Sequence, residues 1–124
     1  LYRHRPQAAL TVVEIEPDGG VYDYRARYSA GATRFHVPAR LDPAAAATAT
    51  DIAIRAHLAL GLRDLSRTDL IVDAAGVPWF LEVNVAPGMT ETSLLPIAAE
   101  AAGIDLGVLC RDLLQAAASR ASHG

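Results

Sequence analysis

The segment from residue 66 to residue 85 places acidic and amide side chains inside apolar sequence. Glu82 and Asn84 interrupt the run from Trp79 to Val85, which otherwise has the apolar side chains of a buried strand. An ionised carboxylate in such a strand is costly unless it is paired or bound to a metal ion. The segment therefore needs a partner for Glu82.

The strand before it supplies candidate partners. A two-residue turn at positions 75–76 would place Asp69 opposite Glu82 and Arg67 opposite Asn84 in an antiparallel hairpin. Because side chains alternate along a strand, these four polar side chains would share one face. The same alternation assigns Phe80 to the polar face and turns three apolar side chains to the core, namely Trp79, Leu81 and Val83.

Opposed carboxylates in a hairpin indicate a hard divalent cation. At a Cβ separation of about 5 Å, Asp69 and Glu82 would repel each other. Oxygen ligands suit Mg²⁺ or Mn²⁺ better than zinc, and Mg²⁺ leaves positions for water and substrate phosphates, toward which Arg67 would point. The alternative is a solvated polar face on which Arg67 neutralises Asp69, and spacing alone leaves both interpretations open.

The loop after the second strand adds a feature that favours a binding site. Gly88 allows close backbone approach to a ligand, and Thr90, Thr92 and Ser93 precede a helix. The N–H groups and dipole at a helix N-terminus attract an anion, such as a carboxylate or a phosphate. These hydroxyls would also serve as ordinary helix caps. Their position directly after the acidic face favours the binding interpretation.

The pattern of elements predicts an α+β fold with a mainly antiparallel sheet flanked by helices. Two strands are expected around a turn at 17–20, followed by an extended segment up to Pro38 and the hairpin at 66–85. Helices are expected at 42–61, with Asp42 as N-cap, at 93–103 and from Asp105 onward. Apolar stripes ending at Leu60 and Leu114 should face the core. The order differs from strict βαβ alternation.

Composition excludes several classes of protein. The 124 residues allow at most one small domain, and a chain that begins without Met is expected to be a piece of a longer one. A net charge of −3 argues against nucleic acid as the main partner. The single Cys110 excludes an internal disulfide, and the four histidines lack ligand spacing. No apolar run approaches the roughly 20 residues of a membrane span, so we expect a cytoplasmic protein.

These motifs resemble those of a known enzyme family. The segment SRTDLIVDAAGVPWFLEVNVAPGMTETSLLP (66–96), with VEIEPDGGVYDYRARYSAG before it and AAEAAGIDLGVLCRDLL after it, is similar to the C-terminal part of the ATP-grasp domain of D-alanine:D-alanine ligases. The family's R-x-D, E-x-N-x-x-P-G-M-T and S-L-x-P motifs occur in order. The resemblance implies that residues 1–124 form a partial ATP-grasp domain, without the N-terminal domain and the flap subdomain.

The resemblance also implies roles for the hairpin residues. Asp69, Glu82 and Asn84 would hold two Mg²⁺ or Mn²⁺ ions that bridge the phosphates of ATP, with Glu82 ligating both. Arg67 and the backbone N–H of Gly88 would form the oxyanion hole for a tetrahedral intermediate. Arg67 would also contact the oxygens of the transferred phosphate.

Four further residues match positions that contact the substrates in the family. Ser93 and the N–H of Leu94 would bind the carboxylate of the second D-alanine. Tyr28 matches a tyrosine of the family's active-site loop that favours D-alanine over D-lactate as acceptor. Arg27 replaces the family's usual lysine, which reaches toward the phosphates and the acceptor carboxylate; arginine keeps the charge but changes the donor geometry.

The implied activity is ATP-dependent formation of D-alanyl-D-alanine for peptidoglycan through an acyl phosphate, by an enzyme that is a homodimer when complete. The phosphate-binding lysines of the family would lie outside this chain, so the isolated chain is expected to be inactive. Two alternatives stay open. One is a sibling ligase that joins D-alanine to D-serine or D-lactate, and the other is a non-catalytic Mg²⁺-binding remnant.

Overall fold

The computed structural model describes residues 9–18 and 33–121. Tyr28, Arg27 and the strand predicted at 21–29 lie outside the described residues. The described elements, in chain order, are β1 (Glu14–Pro17), β2 (Thr33–His36), α1 (Pro43–Ala59), β3 (Arg67–Val72), β4 (Pro78–Asn84), α2 (Leu94–Ala101) and α3 (Leu106–Ala121). The predicted α+β class is confirmed.

Charged side chains hold the first pair of strands together. β1 and β2 pair antiparallel, with Glu14 opposite His36. Arg40, just beyond β2, places Nε 3.0 Å and Nη2 2.7 Å from the two carboxylate oxygens of Glu14. These hydrogen bonds lower the pKa of Glu14 to about 2 and raise the pKa of Arg40. The carboxylate of Glu16 contacts both Arg40 and the His36 ring, and the latter contact lowers the pKa of Glu16.

Helix α1 begins as its sequence predicts. The carboxylate of Asp42 accepts hydrogen bonds from the N–H groups of the first turn, and Pro43 occupies the first helical position. Its small residues Ala45 and Ala49 are buried, and the helix packs on β3 and β4. The predicted stripe is wrong at its end: Leu60 is 60 % exposed, because the helix has already stopped at the preceding residue.

The main apolar cluster lies between α2 and α3. Leu95, Ala99 and Leu109 are buried there, and Leu109 is only 1 % exposed. Asp105 caps α3 by accepting the Val108 N–H at 2.9 Å. Leu114 is 71 % exposed, so the predicted stripe covers less of α3 than expected. Within the described ranges, no helix has the length and apolar character needed to cross a bilayer.

Candidate active site

The turn between β3 and β4 is longer than the sequence predicts. The N–H of Asp73 donates to the carbonyl of Val77 at 3.0 Å, which leaves residues 74–76 as a three-residue loop. Gly76 has a φ of +79°, a conformation that suits glycine. The Asp73 carboxylate accepts from the N–H groups of Ala75 and Val77, both at 2.9 Å. The predicted two-residue turn is therefore wrong, because Asp73 and Gly76 close a wider one.

A β-bulge compensates for the longer turn. Leu70 pairs with Phe80, but the register shifts between Asp69 and Leu70, so that Asp69 pairs with Glu82. Leu81 is the extra residue on β4. Beyond the bulge, Arg67 pairs with Asn84. The cross-strand pairs predicted for the site are therefore present, although the turn that was expected to produce them is not.

The bulge also reverses the faces of the residues before it. Phe80 shares the face of Leu70, and Trp79 shares the face of Ile71 and therefore of Asp69. The indole Nε1 of Trp79 donates to the Asp73 carboxylate at 2.9 Å, which lowers the pKa of Asp73. Trp79 is 60 % exposed. The predictions that Phe80 lies on the polar face and Trp79 in the core are wrong, because the extra residue breaks the alternation.

Arg67 and Asp69 form a two-pronged ion pair. The Nε and Nη2 atoms of Arg67 donate to the two carboxylate oxygens of Asp69 at 2.7 and 2.8 Å. Both side chains are about four-fifths shielded from solvent, with exposures of 21 % and 23 %. A carboxylate has about four acceptor positions, of which this fork uses two. Asp69 is thus neutralised and oriented while it keeps oxygen lone pairs for a cation.

Glu82 and Asn84 complete an oxygen donor set next to this pair. Glu82 is exposed, and its carboxylate makes no hydrogen bond or ion pair with the described residues. The Oδ1 atom of Asn84 accepts the Ala86 N–H at 2.9 Å, which fixes the amide. No three His, Cys, Asp or Glu residues of the described chain form a metal cluster. Two carboxylates and one amide oxygen nevertheless fit Mg²⁺, which needs few protein ligands.

Gly88 and Ser93 lie in close contact in the loop that follows β4. A Cβ atom on Gly88 would lie 2.6 Å from Ser93 Oγ. The Thr90 N–H donates to Ser93 Oγ at 3.2 Å, and the hydroxyl oxygens of Thr90 and Ser93 are 2.8 Å apart. Ser93 is the N-cap residue of α2, but within the described chain its side chain makes no capping hydrogen bond. Its hydroxyl therefore points to Thr90 and leaves the first-turn N–H groups, that of Leu94 included, uncapped.

The hairpin and the start of α2 line one large cavity. Its volume is about 1220 Å³, and Arg67, Asp69, Glu82 and Leu94 all contribute to its wall. Seven of the nine predicted site residues lie within this hairpin, the following loop and the first residue of α2. The other two, Tyr28 and Arg27, lie outside the described residues.

Two apolar side chains at the cavity were not predicted. Ile71 and Leu81 line it beside the carboxylates and are 56 % and 54 % exposed. Alternation assigns Leu81 to the core, and no signal in the sequence reveals the bulge that changes this.

The fold of this chain is similar to that of solved ligase structures. The structure of D-alanine:D-alanine ligase from Bacillus anthracis in complex with ATP is similar to this chain with a TM-score of 0.72 and 30 % sequence identity. The similarity covers 93 % of this chain and 38 % of that one. The family described as the D-ala D-ala ligase C-terminus matches residues 3–115. This chain therefore belongs to the D-alanine:D-alanine ligase family, of which it spans the C-terminal part.

Curated relatives agree with this assignment. The D-alanine:D-alanine ligase of Bordetella petrii is 44 % identical over 112 residues, which are 90 % of this chain and 34 % of that protein. The ligase of Acidiphilium cryptum is 47 % identical over 113 residues, which are 90 % of this chain and 37 % of that protein. The chain thus spans little more than a third of the length of these relatives.

Proposed function

We propose that this chain supplies the metal-binding and acceptor-binding part of an ATP-dependent D-alanine:D-alanine ligase. The observation that carries the proposal is the pairing of Asp69 with Glu82 across the hairpin, with Arg67 forked onto Asp69. Two carboxylates beside a guanidinium suit a nucleotide whose phosphates are bound to Mg²⁺, because the cation and the arginine both neutralise phosphate charge.

The metal ligands would be Asp69, Glu82 and Asn84. When bound, Mg²⁺ or Mn²⁺ would neutralise the phosphates of ATP and favour transfer of the terminal phosphoryl group. The fork from Arg67 holds Asp69 in one orientation, and the Ala86 N–H holds Asn84. Exposed Glu82 is left as the carboxylate with the most freedom to bind a second ion. The number of ions in this proposal, two, follows the resemblance to the family.

Arg67 and the Gly88 N–H would stabilise negative charge on the reacting carboxyl group. In the proposed reaction ATP phosphorylates the carboxylate of one D-alanine, and the amine of a second D-alanine attacks the acyl phosphate and displaces phosphate. Charge develops on the carbonyl oxygen during that attack, and fixed donors stabilise it. The close approach of Gly88 to Ser93 supports this role, because it requires a residue without a side chain, and such a residue lets a substrate reach the backbone N–H.

Ser93 and the N–H of Leu94 would bind the carboxylate of the acceptor. The Thr90 N–H and hydroxyl hold the Ser93 hydroxyl away from its own helix, so the uncapped first turn of α2 keeps its affinity for an anion. Arg27 and Tyr28, in the segment of the chain between β1 and β2, would contact the same substrates, as the resemblance implies.

Ile71 and Leu81 would form an apolar wall for the adenine base. They lie beside the proposed metal ligands, and their exposed surfaces face a cavity large enough for a nucleotide. A planar base on these side chains would remove apolar surface from water while the phosphates reach Asp69 and Glu82.

The proposal is tested by joining this chain to the N-terminal part of a ligase that it resembles. We suggest a fusion in which residues 3–115 replace the corresponding part of the Acidiphilium cryptum ligase, with ADP release measured at increasing D-alanine. D-alanine-dependent ADP release with a D-alanyl-D-alanine product is expected. A folded fusion that releases no ADP, or one that prefers D-serine or D-lactate as acceptor, would contradict the proposed substrate.

A further inference from the structure

One buried polar side chain has no part in the proposed reaction. His57 lies in the last turn of α1 and is 6 % exposed, and it is the only buried polar or charged residue in the described part of the chain. Its Nδ1 atom and the Ser66 hydroxyl oxygen are 2.7 Å apart. Burial lowers the pKa of His57, so the ring is uncharged at neutral pH. A buried polar ring is costly without a hydrogen bond, and Ser66 provides one.

His57 holds both ends of the linker between α1 and β3, which comprises residues 62–66. At the first end, its carbonyl oxygen accepts the Leu62 N–H at 3.0 Å. Gly61, with a φ of +60°, ends the helix there in a Schellman motif. At the other end, the imidazole ring contacts the Ser66 hydroxyl. The linker is therefore attached to a single residue through its first and last positions.

The residue that follows this linker, Arg67, lies in a weakly supported part of its strand. Arg67 is the first residue of β3, and the register shift after Asp69 leaves three cross-strand pairs between the strand end and the bulge. Strand ends open at a low cost in free energy, and a bulge interrupts the ladder. The carboxylate that pairs with Arg67 belongs to the same short run. An attachment at Ser66 therefore adds support directly beside the guanidinium-bearing residue.

We infer that His57 is a positioning residue for Arg67. Its ring fixes the Ser66 side chain and with it the start of β3, so the Arg67 guanidinium keeps its place beside Asp69. Within the described chain, Ser66 and Arg67 line the large cavity and His57 does not, so His57 acts through Ser66 and not on a substrate. The reaction that Arg67 would assist rests on the proposed function, whereas the position of its side chain can be measured without that reaction.

A second attachment of the same linker provides a matched control. Asp64 lies in the middle of the linker with a φ of +61°. Its carboxylate accepts from the Arg120 guanidinium, with Nη1 at 2.9 Å and Nη2 at 2.7 Å from its two oxygens. This ion pair joins the linker to the last turn of α3. Its loss should destabilise the linker without releasing Ser66.

The test in the fused ligase compares kcat with KM. His57→Phe should lower kcat about tenfold and change the KM values for ATP and D-alanine less than about twofold, because Arg67 would act on charge that develops during the reaction. Ser66→Ala removes the same hydrogen bond from the other side, so the double variant should be no worse than either single variant. His57→Asn keeps a polar atom near the position of Nδ1 and should recover most of the lost kcat.

Arg120→Gln separates positioning from stability. It should lower the free energy of unfolding, measured in urea, while kcat stays close to that of the parent fusion. If His57→Phe lowered the stability of the fusion without lowering kcat, His57 would have only a structural role. The inference would also be wrong if Arg120→Gln lowered kcat as much as His57→Phe does.

The NMR signal of the Arg67 Nε–H group gives a measurement that does not depend on catalysis. This group donates to Asp69 at 2.7 Å, so it should exchange slowly with solvent in the parent fusion. His57→Phe should speed that exchange about tenfold, and Arg120→Gln should not. Ser66→Ala, which loses a single oxygen atom, should give the same increase and replaces His57→Phe if that variant does not fold.

The two proposals can fail separately. A fusion that releases no ADP but shows this pattern of Nε–H exchange would contradict the proposed function and support the role of His57. Unchanged exchange of the Arg67 Nε–H in Ser66→Ala would overturn the inference, even in an active ligase.

Discussion

Gly88 and Ser93 are packed so closely that a side chain at residue 88 would force Ser93 to shift. A Cβ atom added to Gly88 would lie 2.6 Å from Ser93 Oγ and 3.3 Å from Ser93 Cβ. The loop that follows β4 therefore packs closely against the N-cap residue of α2. In the proposed function these two residues would serve different groups: Gly88 would offer its N–H to the oxyanion, and Ser93 would bind the carboxylate of the acceptor.

Gly88→Ala should destabilise the chain by about 1–3 kcal/mol, since the methyl group overlaps the Ser93 hydroxyl. Urea unfolding measures this change. When Ser93→Gly is added to Gly88→Ala, it removes the Oγ and Cβ atoms of Ser93 that the new methyl group would meet. Because glycine is an acceptable N-cap, the double variant should recover much of the lost stability. If the double variant lost as much stability as the two single variants together, the contact between residues 88 and 93 would not be what limits the packing.

Thr90 is predicted to be a positioning residue for Ser93. Thr90→Val removes the hydroxyl that lies 2.8 Å from Ser93 Oγ. The Thr92 hydroxyl lies 3.4 Å from that of Thr90 and makes no hydrogen bond with Ser93 in the described part of the chain. In the fused ligase, Thr90→Val should raise the KM for the acceptor D-alanine about tenfold, with a smaller change in kcat. Thr90→Ser should retain the wild-type KM. If Thr92→Val had the same effect as Thr90→Val, the proposed role of Thr90 would be wrong.

The Glu14–Arg40 pair should make stability depend on pH in acid. Its hydrogen bonds lower the pKa of Glu14 in the folded chain from 4.5 to about 2. The stabilisation is therefore complete above the unfolded pKa and is lost as the pH falls from 4.5 through about 2. Because the pair is partly exposed, the loss is expected to be about 1 kcal/mol.

Urea unfolding at about pH 5 and about pH 2.5 measures this loss. Glu14→Gln should reduce the difference between the free energies of unfolding measured at the two pH values. Glu100→Gln, a substitution of an exposed residue near the end of α2, should leave that difference unchanged. A Glu14→Gln variant with the full acid sensitivity of the parent chain would assign that sensitivity to other carboxylates.

Much of the site was predictable from spacing, but not the way in which the chain forms it. The pairing of Asp69 with Glu82 is confirmed, yet it results from a three-residue loop together with a bulge at Leu81. The turn is one residue longer than predicted and the bulge adds one residue to β4, so the two differences cancel at Asp69 and Glu82. Between the turn and the bulge they do not cancel, and there Phe80 and Trp79 lie on the faces opposite to those predicted. Alternation alone cannot reveal the bulge, because the extra residue, Leu81, continues the apolar run of Trp79 and Phe80.

The helices show the same limit. The Asp42 cap and the buried alanines of α1 follow from local sequence, because capping depends on a few neighbouring residues. The exposures of Leu60 and Leu114 do not follow from local sequence, because they depend on which surfaces of the fold are covered by other segments. From the sequence, an ion pair between Arg67 and Asp69 is expected only in the alternative interpretation, in which the polar face of the hairpin is solvated. The structure shows this ion pair within the candidate site.

The most direct test of the central claim is the rate of D-alanine-dependent ADP release by the fused ligase, with Glu82→Gln measured beside Glu91→Gln. Both substitutions remove one exposed carboxylate, but only Glu82 pairs with Asp69. Glu82→Gln should lower the rate at least about a hundredfold, with partial recovery at high Mg²⁺, and Glu91→Gln should be close to the parent. An unchanged rate in Glu82→Gln at low Mg²⁺ would contradict the assignment of this hairpin as the metal site.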